Sequence, residues 1–334
     1  MDAATLTDRQ LAGQRLIVGF QGTELNTDLR FLVDTLKIGG VILFADNLIE
    51  PEQIRNLCRS LQAYAVSREN PPLFIAVDQE GGTVARLKEP FTQFPGNPHM
   101  KSRKDAVRFA KITAKELADV GINMNLAPVL DISPLNIESI MTDRSFGHIP
   151  EWVSKMGGAV IKHLQQRRIA AVAKHFPGIG RTQLDSHAEM PTLDIDLSEM
   201  ESYDLRPFNK AINQKVAGMM LSHILYEKID PRWPASLSPR IADRLLRDKM
   251  AFQGVVMTDD LDMGAIQKHF DIKTIINQIL SAGIDIALIC HKGPNIERAF
   301  EEILASLSAN QKMRSKGLVS VDRILRSKAK FLKA

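Results

Sequence analysis

Short apolar runs alternate along the chain with longer segments of helical periodicity. Most of the runs are continuous and rich in β-branched residues, as expected for strands buried on both faces. The eight runs occupy residues 15–22, 39–45, 72–80, 123–132, 170–176, 217–224, 254–261 and 284–290. Among the segments between them, residues 104–121 carry a helical apolar stripe that ends at Gly121. Residues 238–250 open with Ser238 and Pro239, which is typical of a helix start.

Eight strands that alternate with helices predict a (β/α)8 TIM-type barrel of the α/β class. A doubly wound sheet is the main alternative, but eight repeats in 334 residues favour closure into a barrel. No linker rich in Pro, Gly or Ser divides the sequence, and no second block of strands follows residue 290. We therefore expect a single domain over residues 1–334.

Composition and charge bear on location and partners. The net charge is +4 with scattered Lys and Arg, a pattern that does not favour nucleic-acid binding. The two cysteines, Cys58 and Cys290, lie in apolar runs, which argues against a disulfide framework. The N-terminal segment lacks the basic region of a signal peptide, and no run approaches the ~20 apolar residues of a membrane span. We expect a cytoplasmic monomer without nucleic-acid or membrane partners.

Polar side chains follow the predicted strands at their C-terminal ends, where TIM barrels carry their active sites. These side chains are Asp78, Gln79, Glu80, Asp131, Lys174, His175, Ser222, His223, Asp259 and Asp260. One or two of these polar residues could simply mark the point where a strand reaches the protein surface. Five successive strands end in polar residues, however, which this explanation does not cover. The stretch KHFPGIGRTQLDSH, residues 174–187, adds ionisable groups on a segment that Pro177, Gly178 and Gly180 keep from being helical. The pattern predicts a catalytic site.

The residue types and their spacing argue against a metal site and against a serine nucleophile. The possible metal ligands are His175, Asp185, His187, His223 and Asp259. No HxH or HxxxH pair occurs at a strand end and neither cysteine belongs to the set, so we expect no metal. Ser186 lies between an aspartate and a histidine, but it lacks the strand-turn-helix context of a nucleophile elbow.

With metal and serine chemistry disfavoured, catalysis by the carboxylates of the site remains. Alternation along a strand places Asp259 and Asp260 on opposite faces, so we expect only one of them to reach the barrel mouth from the strand. A carboxylate that works with a separate proton donor is the equipment of a glycosidase. The residues alone therefore predict a hydrolase, with a sugar as the candidate substrate.

Five motifs make the prediction more specific. They are DQEGGTVARL, NLAPVLDI, DRSFG, KHFPGIG with DSH, and GVVMTDDLDMGAI, in this order and each at a predicted strand end. Together they resemble glycoside hydrolase family 3, and most closely its single-domain β-N-acetylhexosaminidase branch (NagZ type), over about residues 10–330. The sequence departs from the resembled motif KHFPGHG at Ile179, where a polar loop residue is replaced by an apolar one.

The resemblance implies a role for each matching residue. Asp259 would be the nucleophile, and Asp185 and His187 would form the acid/base dyad. The residues implied to bind the sugar are Asp78, Arg86, Arg144, Lys174 and His175. The sequence leaves Glu80 and Asp131 open between a structural and a functional role.

The implied activity is that of a retaining exo-β-N-acetylglucosaminidase. It would release terminal non-reducing GlcNAc from muropeptide fragments of the GlcNAc-1,6-anhydroMurNAc type during peptidoglycan recycling, with neither a metal nor an organic cofactor. One alternative is a β-N-acetylglucosaminide phosphorylase, because an imidazole acid/base repels incoming phosphate less than a carboxylate does. A non-catalytic sugar-binding barrel is the other.

Overall fold

The computed structural model describes residues 2–184 and 189–332, in which eight parallel strands close into a barrel. In chain order the strands are Leu16–Val18, Gly40–Leu43, Phe74–Val77, Met124–Asn125, Ala170–Phe176, Gly218–Leu221, Val255–Asp260 and Ile286–Ile289. Each strand pairs with its neighbours in sequence, and the first pairs with the eighth through Leu16 and Ala287. The predicted barrel is confirmed, and the doubly wound alternative is wrong.

Helices connect the strands and cover the barrel. They are Asp8–Gly13, Thr27–Asp34, Pro51–Ser67, Arg103–Asp119, Pro150–Gln166, Leu197–Ser202, Arg206–Asn213, Arg240–Lys249, Gly264–Gln267, Ile272–Ser281, Pro294–Ala309 and Gln311–Phe331; the helix Arg240–Lys249 has π-type spacing. The 3₁₀ turns are Ala3–Thr5, Ala45–Asn47, Asn97–His99 and Ala235–Leu237. Two small sheets pair Gln79–Gly81 with Val84–Ala85 and Thr192–Leu193 with Leu225–Tyr226. None of these helices is long and apolar enough to cross a membrane.

The predicted helix ends are present as local structure. Gly121 follows the helix Arg103–Asp119 with a φ of +86°, a conformation that favours glycine. Ser238 accepts a hydrogen bond from the backbone nitrogen of Ile241 through its Oγ at 3.1 Å, as a capping side chain does.

Alternate residues of the strands enter two separate apolar layers. In the seventh strand, Val255 and Met257 lie in the barrel interior, whereas Val256 packs in the layer between strands and helices. Both faces of the strands are therefore buried, which explains why the runs are continuously apolar.

The helix Gln311–Phe331 closes the N-terminal end of the barrel. Ile324 and Phe331 pack in the interior cluster, and Lys328 lies with its Nζ 5.3 Å from the centre of the Phe74 ring. The opposite end, where the strands finish, is left for the polar residues.

Candidate active site

A cavity of about 330 Å³ opens at the C-terminal ends of the strands. All the predicted site residues that lie in the described part of the chain line it: Asp78, Arg86, Arg144, Lys174, His175 and Asp259. Its apolar wall includes Ile140 and Ile179, and Phe44 and His291 also contribute. The structure thus brings together predicted site residues that are up to about 180 positions apart in sequence, as the barrel topology requires.

A cluster of two cations and two carboxylates forms one side of the site. Lys174 Nζ lies 2.6 Å from Asp78 Oδ1 and 2.7 Å from Glu80 Oε1. Arg144 binds Glu80 through two nitrogens, with Nε 3.0 Å from Oε2 and Nη2 2.8 Å from Oε1. Lys174 and Glu80 are almost fully buried, so each charge depends on its partners for compensation.

The ion pairs in this cluster determine the pKa values of its members. Burial alone would raise the pKa of Glu80, but the charges of Lys174 and Arg144 hold it at about 2. Burial would lower the pKa of Lys174, and the carboxylates of Asp78 and Glu80 raise it instead. The cluster is therefore charged at neutral pH, and the role of Glu80, which the sequence left open, includes holding both cations.

His175 is held by Asp131. The Nδ1 nitrogen of His175 lies 2.7 Å from Asp131 Oδ2, and the backbone nitrogens of His175 and Ile179 donate to the same carboxylate at 3.1 and 2.8 Å. A carboxylate only accepts, so Nδ1 carries the proton. Asp131 thus orients the ring of His175 and anchors the start of the following loop.

Both aspartates at the end of the seventh strand line the cavity, contrary to the prediction that only one would. The strand pairs Met257 with Ile286 and Asp260 with Leu288, so three steps along one strand match two along the other. This irregularity interrupts the alternation on which the prediction depended.

The two aspartates differ in their partners. Asp260 accepts hydrogen bonds at Oδ1 from the backbone nitrogens of Asp262 and Cys290, and burial raises its pKa to about 6. Burial would also raise the pKa of Asp259, but the nearby His175 and His223, the hydrogen bond from the backbone nitrogen of Asp260 at 2.8 Å, and Lys174 together lower it. The lowered pKa keeps Asp259 ionised in the cavity. Its Oδ1 accepts from one backbone nitrogen, whereas Oδ1 of Asp260 accepts from two.

His223 has a structural position. Its Nδ1 lies 2.7 Å from Ser236 Oγ and its Nε2 lies 2.8 Å from the carbonyl oxygen of Asp260. The side chain is buried, and it fixes the backbone next to Asp259.

Three flat groups stand together at the cavity mouth. The guanidinium carbon of Arg86 lies 5.4 Å from the centre of the Phe44 ring, and the ring of His291 stacks on Phe44 at 6.1 Å. Arg86 Nε is buried without a hydrogen-bond partner among residues 2–184 and 189–332, which leaves it available for a ligand. The sequence reasoning missed Phe44 and His291. Phe44 directly follows the strand Gly40–Leu43 and His291 directly follows the predicted run 284–290, and that position is the signal for them.

The loop after the fifth strand is tightly packed as far as it is described. A Cβ atom on Gly180 would lie 1.7 Å from the carbonyl oxygen of Ile132, so this position requires glycine. Ile179 is only 5% exposed and contacts the site cavity. The predicted dyad, Asp185 and His187, lies outside the described residues.

The chain matches the family described as "Glycosyl hydrolase family 3 N terminal domain" over residues 8–326. It belongs to glycoside hydrolase family 3. It is 33% identical to a beta-hexosaminidase of Pseudomonas aeruginosa over 92% of both chains. It is 35% identical to beta-hexosaminidase A of Pseudoalteromonas piscicida over 91% of this chain, although it spans only 57% of that protein.

Solved structures show the same barrel. A family 3 β-N-acetylglucosaminidase from Paenibacillus sp. superposes with a TM-score of 0.91 at 36% identity, covering 98% of this chain and 63% of that one. A β-N-acetylhexosaminidase from Beutenbergia cavernae gives a TM-score of 0.90 at 26% identity, covering 98% of this chain and 99% of that one. Family membership identifies the chain as a glycoside hydrolase.

Proposed function

We propose that this chain is a retaining exo-β-N-acetylglucosaminidase. The observation that carries the proposal is Asp259, a carboxylate at the end of a barrel strand inside a polar cavity, whose pKa is lowered by nearby His175 and His223, by the backbone nitrogen of Asp260 and by Lys174. Relatives named beta-hexosaminidase and β-N-acetylglucosaminidase support the choice of sugar.

In this mechanism Asp259 attacks the anomeric carbon and forms a covalent glycosyl-aspartate. The Asp185–His187 dyad gives a proton to the leaving oxygen, and then takes one from the water that releases the sugar. The groups that hold the sugar are Asp78, Arg86, Arg144, Lys174 and His175. A charged, prearranged cluster suits this task because its dipoles need no reorganisation during the reaction.

We further propose that the natural substrates are muropeptide fragments of the GlcNAc-1,6-anhydroMurNAc type, processed in the cytoplasm during peptidoglycan recycling by a monomer that needs no cofactor. The motif resemblance supports this substrate. The two free, buried cysteines, Cys58 and Cys290, fit a reducing compartment.

The direct test compares aryl β-N-acetylglucosaminide with aryl β-glucoside. A site built to hydrogen-bond an acetamido group leaves polar groups unpaired when glucose binds, at a cost of about 1–3 kcal/mol each. We expect kcat/KM to favour the acetamido sugar by at least about ten-fold. Equal values for the two substrates would contradict the proposal.

Analysis of the reaction products separates the alternatives. Proton NMR of the first product with GlcNAc-1,6-anhydroMurNAc as substrate should show β-GlcNAc whether or not phosphate is present. Release of GlcNAc-1-phosphate when phosphate is added would instead identify a phosphorylase. Sugar binding without any turnover would identify a non-catalytic barrel.

A further inference from the structure

A second cavity, of about 410 Å³, lies at the N-terminal end of the barrel, on the face opposite the active site. Its walls come from the residues before the sixth and seventh strands and from the C-terminal helix Gln311–Phe331. Buried apolar side chains form its base: Val216, Ala217, Phe252 and Phe331.

The polar lining of this cavity carries one sign of charge. The ionisable residues that line it are Lys215, Arg323, Arg326 and Lys330, and no carboxylate is among the described residues lining it. In the described chain, Lys215 and Lys330 have no ion pair, whereas Arg326 lies 3.1 Å from Asp322 on the exposed helix surface. Clustered charges of one sign over an apolar base focus the field on a ligand of opposite sign.

The buried groups behind the cavity also carry a net positive charge. Asp285 is fully buried and receives Arg247 Nη2 at 2.5 Å and Arg323 Nη1 at 2.9 Å, while Arg15 donates to its backbone oxygen. Two guanidinium groups thus contact the single carboxylate, and a third lies at the backbone beside it. Arg15 Nη1 and Arg247 Nε are buried without hydrogen-bond partners in residues 2–184 and 189–332.

One further residue that lines the cavity has a polar atom without a partner in the described part of the chain. Ser327 lines the cavity, and its Oγ is buried with no hydrogen-bond acceptor or donor in the described structure. Buried hydroxyl groups are ordinarily paired, so this atom suits a polar ligand group.

We propose that this cavity binds an anionic ligand in which a carboxylate, phosphate or sulfonate group is joined to an apolar ring or chain. The anion would contact Arg326, Lys330 and Ser327 Oγ, and the apolar body would pack on Phe252 and Phe331. The cavity is separate from the glycosidase site, and the proposal does not depend on the activity of that site.

Isothermal titration calorimetry with naphthalene-2-sulfonate tests the charge and the ring together. The uncharged 2-naphthalenemethanol serves as the matched probe without charge, and sulfate as the anion without a ring. We expect naphthalene-2-sulfonate to bind at least about ten-fold more tightly than either, because both parts of the cavity contribute. Equal binding of the uncharged probe, or no binding of the sulfonate, would overturn the proposal.

Two variants locate the binding. The double variant Arg326→Ala/Lys330→Ala should weaken naphthalene-2-sulfonate about ten-fold. The control Lys273→Ala/Lys312→Ala removes the same charge from exposed residues outside the cavity and should change affinity less than two-fold. Ser327→Leu, which fills the cavity and keeps all its charges, should abolish binding. Equal losses in the two double variants, or displacement of the probe by GlcNAc, would contradict a site at this position.

Discussion

The carboxylate of Asp131 accepts two hydrogen bonds from His175: Oδ2 lies 2.7 Å from the ring Nδ1 and 3.1 Å from the backbone nitrogen. A third donor, the backbone nitrogen of Ile179, lies 2.8 Å from Oδ1. One buried side chain therefore sets the tautomer of a site histidine and the path of the loop that leads towards the predicted dyad.

Replacing Asp131 by Asn should lower both activity and stability. The amide NH₂ would face an N–H donor, and a buried donor left unpaired costs about 1–3 kcal/mol. Displacement of His175 by about 1 Å would lower kcat/KM by up to about 100-fold. Steady-state kinetics and urea unfolding check the two effects.

Asp230→Asn is the matched control. Asp230 is also buried and accepts from the backbone nitrogens of Arg232 and Trp233 and from Ser238 Oγ, but it does not line the site cavity. It should lose stability and keep kcat/KM. An Asp131→Asn variant that lost stability alone would show that Asp131 does not position His175 for catalysis.

Asp259→Ala should lower kcat by at least about 10⁴-fold, as expected when a nucleophile is removed. A slow fluorinated N-acetylglucosaminide should leave a covalent adduct on Asp259, detectable by mass spectrometry of peptides. Asp260→Asn should still form the adduct, because its amide oxygen can accept from the backbone nitrogens of Asp262 and Cys290. An adduct on Asp260, or products of inverted configuration, would refute the assignment.

The barrel was predictable because continuous apolar runs at strand spacing admit few other folds. The residues at the strand ends were predictable for the same reason, since parallel strands finish at one edge. The exposure of both Asp259 and Asp260 to the cavity was not predictable, because it depends on an irregular pairing of the seventh strand with the eighth, between Met257 and Asp260. The contact between Asp131 and His175 likewise joins two residues that are 44 positions apart in sequence.

Substitutions of Ile179 test whether the loop after the fifth strand needs an apolar residue at this position. The side chain is 5% exposed and faces the site cavity, where a polar group would require a partner. Ile179→His, which restores the residue of the resembled motif, should lower the free energy of unfolding by about 1–3 kcal/mol. Ile179→Val should cost only about 0.5–1.5 kcal/mol. Equal stability of Ile179→His and the parent would mean that the imidazole finds a partner there.

Lys328 should make stability rise with pH. Its Nζ is buried against Gln14 Oε1 at 2.6 Å, and burial lowers its pKa well below the ordinary value. Between that lowered pKa and about 10.4 the unfolded chain binds the proton that the folded chain has released, so the free energy of unfolding increases with pH across this window.

Lys328→Met should therefore be more stable than the parent at pH 7, because the parent must give up the proton of its buried amine on folding and methionine need not. The advantage should shrink as pH approaches 10. Urea unfolding at pH 7, 8.5 and 10 measures it. Lys312→Met, an exposed change on the same helix, should show neither effect. A variant that is less stable than the parent at pH 7 would contradict the argument.

The proposed role of His187 predicts a dependence on the leaving group. An imidazole with a pKa near 6.5 is mostly neutral at pH 7, and a neighbouring Asp185 would favour the protonated form that gives its proton to the glycosidic oxygen. His187→Ala should slow single-turnover glycosylation severely for sugars, whose alkoxide leaves poorly without a proton, and mildly for activated aryl groups. Asp185→Asn should lower kcat while GlcNAc affinity stays nearly unchanged.

The effect of His187→Ala is checked by measuring glycosylation rates of the parent and the variant with aryl N-acetylglucosaminides of graded leaving-group pKa. The plot of log rate against leaving-group pKa should be steeper for the variant. A rate loss of the same size for every leaving group would show that His187 is not the acid.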